Sequence, residues 1–361
     1  MRPSLRRSPM AAPDIARPKP FLVTLEGGRT YFWCACGRSA TQPFCDGSHR
    51  GTGFTPRTFV APRTEEVLLC GCKHTSGAPF CDGAHTNLKG GSPLDDPETA
   101  ANRSIPLVTE NDGPRRWLDG GCYVVSPRLA PRISRDRLRY CYLVTRELGA
   151  RHQTQILLEV AGGASPVLSL GGRDTILFVV SGNGRAIVSG RDFEVKPHDG
   201  LYLRPGEALQ LVPAGEETLG VFALASPQGV LEWPATMPGN FDAEFPERVV
   251  SVDTRQRTAM GPRYFQLLVD KRIGSRAITQ FIGHIPRSKA APHRHLYEEA
   301  IIVLSGEGCI WTEEHKATVQ AGDVIFLPRK QLHSLEATSH EGMFVVGVIC
   351  PGDNPSIAYY D

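Results

Sequence analysis

Six of the ten cysteines fall between positions 34 and 81, in two copies of one pattern. Cys34-Ala-Cys36, followed by Pro43-Phe-Cys45-Asp-Gly-Ser-His49, recurs as Cys70-Gly-Cys72, followed by Pro79-Phe-Cys81-Asp-Gly-Ala-His85. Each copy offers three thiols and one imidazole at fixed spacing, each after a short β-like run, Thr30–Trp33 and Glu66–Leu69. No apolar signal-peptide core precedes them, which argues against an oxidising compartment. Clustered cysteines in a reducing compartment are metal ligands more often than disulfides. Thiolates with a neutral imidazole suit either zinc or an iron–sulfur cluster, and spacing leaves both open.

A second, longer repeat runs at an offset near 124. Arg139-Tyr-Cys-Tyr-Leu-Val matches Arg263-Tyr-Phe-Gln-Leu-Leu, and Val179-Val-Ser-Gly-Asn-Gly matches Val303-Leu-Ser-Gly-Glu-Gly. Short apolar runs broken by Gly, Pro and Asn, in a chain with 37 glycines and 29 prolines, predict a mainly β protein with two sandwiches or small barrels. The net charge is +2, and Arg2, Arg6, Arg7, Arg17 and Lys19 face only Asp14 in the first twenty residues. The body therefore lacks a basic nucleic-acid footprint. No apolar run is long enough to cross a bilayer.

The cysteine–histidine copies resemble the CDGSH iron–sulfur domain, with Ser39 and Thr75 in the hydroxyl position and Ala84 in place of the commonest Ser. The tandem arrangement, with Lys19-Pro20 upstream, is similar to double-CDGSH proteins. It implies two [2Fe–2S] clusters, one held by Cys34, Cys36, Cys45 and His49, the other by Cys70, Cys72, Cys81 and His85. Imidazole in place of a thiolate removes a negative charge, so reduction is easier than for an all-Cys centre. It is also the ligand that protons displace.

Near the other end, His293-Arg-His295 is followed by Glu299 and later by His333. Positions 293, 295 and 299 share strand parity, which favours Glu299 over Glu298 as a ligand. Three imidazoles and a carboxylate would bind a divalent first-row metal with two positions open, iron(II) favoured and manganese(II) next, with nickel and zinc left open. His284, His315 and His340 lack such spacing and are read as surface or satisfied core residues. The pattern resembles the cupin signature, Gly283…His293-x-His295-x3-Glu299-x6-Gly306 and then Gly322-x5-Pro328…His333, with Lys330 where the second motif usually carries Gly. Through the repeat it implies a two-cupin chain. In the first copy the ligand positions transfer to Ser169, Gly171, Thr175 and Gln210, so that barrel is expected to be degenerate and metal-free.

The resulting division is a disordered basic tail over 1–18, a tandem CDGSH module over 19–88, a linker over 89–115, and cupins over 116–240 and 241–361. The combination implies an oxidative non-haem iron cupin enzyme acting with O₂ on a small anionic substrate, with electrons supplied through the clusters by a separate donor. Tyr297 and Gln210 are substrate-pocket candidates, Lys330 and Arg287 weaker ones. The alternatives are a manganese-dependent bicupin hydrolase or isomerase with a regulatory cluster module, and a non-enzymatic redox sensor or cluster carrier. Neither nucleic acid nor a membrane is expected as a partner, and homo-oligomerisation is left open. A cytoplasmic location is expected, or the mitochondrial matrix if the basic tail is a presequence. Cys122, Cys141, Cys309 and Cys350 read as inert strand thiols.

Overall fold

A computed structural model describes residues 12–88, 93–109 and 113–359. It divides into two compact units, Met1–Gly91 with Ser356–Asp361, and Ser92–Pro355.

In the first unit each repeat contributes two strands and a cysteine loop, and the strands pair across the repeats. Phe21–Leu25 of the first copy lies antiparallel to Glu65–Leu69 of the second, while Thr30–Trp33 of the first pairs with Arg57–Val60. Neither copy closes a sheet alone. The shared core is small, with Trp33, Leu69, Cys70 and Cys72 buried together and Leu25, Tyr31 and Ala61 beside them. Residues 12–18, expected as part of a disordered tail, run across both cysteine loops: the Asp14 N–H donates to the Cys36 carbonyl at 3.0 Å and the Arg17 N–H to the Gly71 carbonyl at 3.3 Å. A side chain at Gly71 would collide with the Lys19 carbonyl, 2.1 Å from its Cβ position. These contacts order residues that composition alone marks as solvated, and the tail's remainder, 1–11, lies outside the described residues.

The second unit is two β-barrels back to back. The first is built from a seven-stranded and a four-stranded sheet, the second from an eight-stranded and a five-stranded one. Alternate residues of the central strands face opposite cores, as the period of two requires. In Asp174–Ser181, Leu177 and Val179 fill the interior of the first barrel, whereas Ile176 and Phe178 join a core between the barrels. In Glu298–Ser305, Ile301 and Val303 point into the second barrel while Ala300 and Ile302 enter the same inter-barrel core. Burial on both faces explains why these strands are nearly continuous apolar runs.

Strand exchange moves the expected boundaries. Arg115–Trp117 and Tyr123–Val125, placed by sequence at the edge of the first cupin, complete the eight-stranded sheet of the second by pairing with Val324–Leu327. Val249–Val250 reciprocates by pairing with Gly200–Leu203 of the first barrel. The reason is physical: Tyr123 and Val125 belong to the inter-barrel core, and Arg116 forms a buried ion pair with Asp323 at 3.1 Å. The described part of the supposed linker is also structured. Leu94–Asp95 pairs with Ser288–Ala290, and Ala100–Ser104 is a short helix capped by the Thr99 hydroxyl. Asp95 forms an ion pair with Lys289, whose side chain is buried, so a stretch without apolar periodicity is anchored by charge.

The crossover into Val249–Val250 is held by Arg248, fully buried and paired bidentately with Glu207 at 2.5 and 2.8 Å. Glu207 also accepts from the backbone N–H groups of Arg204 and Asp242. Arg248→Met is expected to leave that carboxylate buried without its cation and to cost about 3–5 kcal/mol, read as a lowered urea midpoint of the barrel transition. Unchanged stability would show that the pair is not needed.

Candidate metal centres

The two cysteine loops have the same internal bonding. Cys34 and Cys70 donate their N–H groups to the Pro43 and Pro79 carbonyls, and Cys45 and Cys81 to Phe32 and Leu68, all at 2.8–2.9 Å. The hydroxyls of Ser39 and Thr75 donate to the Phe44 and Phe80 carbonyls at 2.6 and 2.7 Å. Asp46 accepts from the Ala40 and Ser48 amides, and Asp82 from those of Ser76 and Ala84. Each loop is thus pinned at the carboxylate of its Asp-Gly turn, which sets the following thiol and imidazole.

That pinning brings the expected ligands together in pairs. Cys34 and Cys36 have their sulfurs 3.7 Å apart, and the Cys45 sulfur lies 3.1 Å from His49 Nδ1. In the second copy both corresponding separations are 3.5 Å. The Cys72 thiol, against the cost of burial, brings Cys70 down to about 6, and Cys72 is pushed up in turn. Two thiolates this close repel, and a cation held between them would remove that cost. The donor set therefore fits a bound iron or zinc centre. The copies differ in exposure: His49 is half-buried, but His85 is buried, and burial holds its imidazole below the ordinary value.

In the second barrel, ring nitrogens of His293, His295 and His333 all lie within 4.8 Å of one another. His293 and His333 face each other across a backbone bridge with N–H to carbonyl bonds of 3.0 and 3.1 Å. The chain bends at Leu296 and Tyr297 before the strand Glu298–Ser305 begins, so the ligand run is not one continuous strand. Even so, Glu299 lines the cavity, with an oxygen 3.3 Å from His295 Nδ1. Glu298 turns the other way and accepts from the Arg151 and His152 amides at 2.6 and 2.9 Å. Lys330 adopts the left-handed conformation, φ 63°, that its motif usually reserves for Gly, and its N–H donates to the His295 carbonyl at 2.8 Å.

The site opens on a cavity of about 100 Å³ whose lining includes Phe265, Phe281, Ile301, Leu335 and Arg263. Tyr297 does not line it; its ring stacks behind His295 at 4.5 Å. Gln210 lies in the other barrel, where it donates to the Ser165 carbonyl at 2.8 Å. Ser169, the transferred counterpart of His293, pairs with Ala208 across its ladder, so the spatial counterpart of His333 is near Ala208 rather than Gln210. A register slip in the inferred alignment accounts for the difference. His284, read as a surface or satisfied residue and not a ligand, has Nε2 2.9 Å from the Glu341 carbonyl, and it also lines the cavity. Arg263 escaped sequence reading because it stands thirty residues before the histidines, opening the strand Arg263–Val269. Its Nη2 donates to the Leu335 carbonyl at 3.1 Å, and the residue is buried. Cys309, on the strand Glu307–Trp311, is pushed up to about 11 by burial, in keeping with an inert thiol.

Burial first, and the neighbouring His295 second, hold His293 down to about 3, with His333 also well below its ordinary value. Neutral imidazoles are the form that binds metal. In metal-free protein the unfolded chain then takes up protons that the folded chain refuses as pH falls from about 6.5 towards 3, so stability is lost across that window. The urea midpoint of chelator-treated protein should fall between pH 7 and 4 more steeply than that of His293→Gln/His333→Gln. Parallel slopes would contradict this.

Comparison with known proteins agrees with this geometry. Residues 284–349 match the family described as a cupin domain, and residues 17–50 match the iron-binding zinc finger of CDGSH type. The second cysteine–histidine copy lies beyond that matched span. The chain is 50% identical over 56 residues to the mouse mitochondrial CDGSH iron-sulfur domain-containing protein 3, and 51% identical over 55 residues to the human protein of that name. These matches take up 15% of this chain and cover 41% and 43% of those proteins, under half their length. Among solved structures, protein Ylba from E. coli superposes with a TM-score of 0.51 at 19% identity, over 67% of this chain and 96% of that one. Lactobacillus farciminis oxalate decarboxylase superposes with a TM-score of 0.51 at 14% identity, over 69% and 89%. Those likenesses speak to the fold. The chain carries a CDGSH-type iron–sulfur domain at its N-terminal end and a cupin domain at its C-terminal end.

Proposed function

We propose that the chain is a metal-dependent oxidative enzyme, with a divalent ion, iron(II) before manganese(II), held by His293, His295, His333 and Glu299. The convergence of three imidazoles beside a cavity that also contains a buried guanidinium carries this reading. When bound, such an ion supplies open coordination positions for O₂ and a small substrate, and one-electron chemistry. The protein's own residues bind and orient. Arg263 pairs with the anionic group of the substrate, and Phe265, Phe281 and Leu335 cover its apolar part and exclude water. The small cavity restricts the substrate to few heavy atoms. His284, held through Nε2 by the Glu341 carbonyl and packed between Tyr264 and Phe344, keeps one wall fixed.

The N-terminal module, in this reading, holds two [2Fe–2S] clusters through Cys34, Cys36, Cys45, His49 and Cys70, Cys72, Cys81, His85, and passes on electrons from an external donor. The matching hydrogen bonds of the two loops support the second cluster. We place the chain in the cytoplasm or, if the basic N-terminal segment is a presequence, in the mitochondrial matrix, an alternative that the relatives named mitochondrial favour; cell fractionation separates them. No helix among the described residues is long and apolar enough to cross a membrane.

Protein purified without air should contain two clusters and one mononuclear iron, by iron and sulfide analysis with electron paramagnetic resonance. Substrate-dependent O₂ uptake should vanish in His293→Ala/His333→Ala. Activity with manganese under anaerobic conditions would favour a hydrolase or isomerase, and function surviving the double substitution a sensor or carrier. Arg263→Met should weaken binding of a small carboxylate probe about tenfold, the worth of a lost charged hydrogen bond, while metal content stays unchanged. On acidification the cluster of the half-buried His49 should bleach at higher pH than that of the buried His85. Single-cluster variants give the assignment, and loss in the reverse order would overturn it.

A further inference from the structure

In the N-terminal unit a residue adjoining each Cys-x-Cys pair, Trp33 in the first copy and Lys73 in the second, meets at the buried Cys70 carbonyl. Trp33, immediately before Cys34, is 2% exposed, and its indole N–H donates to the Cys70 carbonyl at 3.1 Å. Lys73, immediately after Cys72, donates its ammonium to that same carbonyl at 3.1 Å and lies 4.5 Å from the Trp33 ring centroid. It is 6% exposed. One carbonyl, the Trp33 indole and, at 5.7 Å, the Phe21 ring are weak compensation for a buried ammonium, and no carboxylate among the described residues pairs with it.

The backbone makes the choice of residue more telling. Lys73 sits at φ 65°, in the left-handed region that is strained for a residue with a Cβ. Its counterpart in the first copy, 36 positions earlier, is Gly37 at φ 83°. Both loops need that turn, and the first makes it with the residue that does so cheaply. The second accepts strain and desolvation, and what it gains is a cation between the repeats. The ammonium stands between the ring of Trp33, which precedes Cys34, and the Cys70 carbonyl, so it adjoins a cysteine residue of each copy.

We propose that Lys73 is the shared counter-cation of the two clusters, a buried positive charge that stabilises the one-electron-reduced form of each and raises both reduction potentials. This rests on the two-cluster reading given above. A [2Fe–2S] centre with three thiolates and a neutral imidazole is already anionic, and reduction by one electron makes it more so. A cation in a low-dielectric interior favours that step far more than one in water. Because the repeats share a single core, one lysine serves two centres.

The experiment uses the full chain purified without air, with iron and sulfide measured first. Wild type and Lys73→Met, Lys73→Gln and Lys73→Arg are then titrated with dithionite, one electron per cluster, and followed by electron paramagnetic resonance. Gln keeps an N–H donor for the Cys70 carbonyl but drops the charge, and Arg keeps the charge. Both midpoint potentials should shift to more negative values in the Met and Gln variants and stay near wild type in the Arg variant. A shift confined to one cluster overturns the sharing, and unmoved potentials in variants that retain both clusters overturn the role altogether. Should the neutral variants lose their clusters while the Arg variant keeps both, retention itself follows charge and supports the proposal. Loss in all three overturns it. A wild-type chain with a single cluster sinks the two-cluster reading, a result distinct from two clusters whose potentials ignore Lys73.

Discussion

Antiparallel pairing across repeats is the constraint that both units of this protein share. In the N-terminal unit, Phe21–Leu25 pairs with Glu65–Leu69 and Thr30–Trp33 with Arg57–Val60, so neither repeat has a sheet without the other. The barrel unit does the same on a larger scale, with Arg115–Trp117 and Tyr123–Val125 completing the second barrel and Val249–Val250 the first. Backbone groups at a sheet edge must find partners when they are covered. Exchange satisfies them with strands whose side chains already belong to a common core.

The centres inherit their properties from that arrangement. Because Trp33, Leu69, Cys70 and Cys72 form one core, the first copy's tryptophan reaches the second copy's cysteine backbone. In the second barrel, packing of both faces of Glu298–Ser305 leaves no choice for its two leading carboxylates. Glu298 goes to the inter-barrel side, where the Arg151 and His152 amides satisfy it, and Glu299 to the cavity with the histidines. The same burial favours the neutral, metal-binding form of His293 and His333, at the expense of acid stability.

Much of this was legible in the chain itself. Spacing named the cysteine and histidine sets that the loops and the second barrel bring together, because a chelating loop must place its donors at fixed short separations, but it passed over His284 on the cavity wall and His315 beside Asp119. Parity selected Glu299, although the run bends at Tyr297, since the side chain's face is decided by the strand that follows. What could not be read were contacts between residues far apart in sequence: Arg263 in the cavity, Tyr297 stacked behind His295 instead of lining it, Gln210 in the other barrel, and Asp95 on Lys289.

The sequence by itself determined the two repeat systems, the mainly β character and the sets of donor atoms, because repetition, period-two patterning and ligand spacing are local properties that survive without coordinates. Only the tertiary structure decided which strand completes which sheet, where the supposed linker is anchored, and that a lysine adjoining one cysteine pair is buried beside the other. Those outcomes depend on the burial of shared surfaces and on charges brought together from distant positions, which no local pattern encodes.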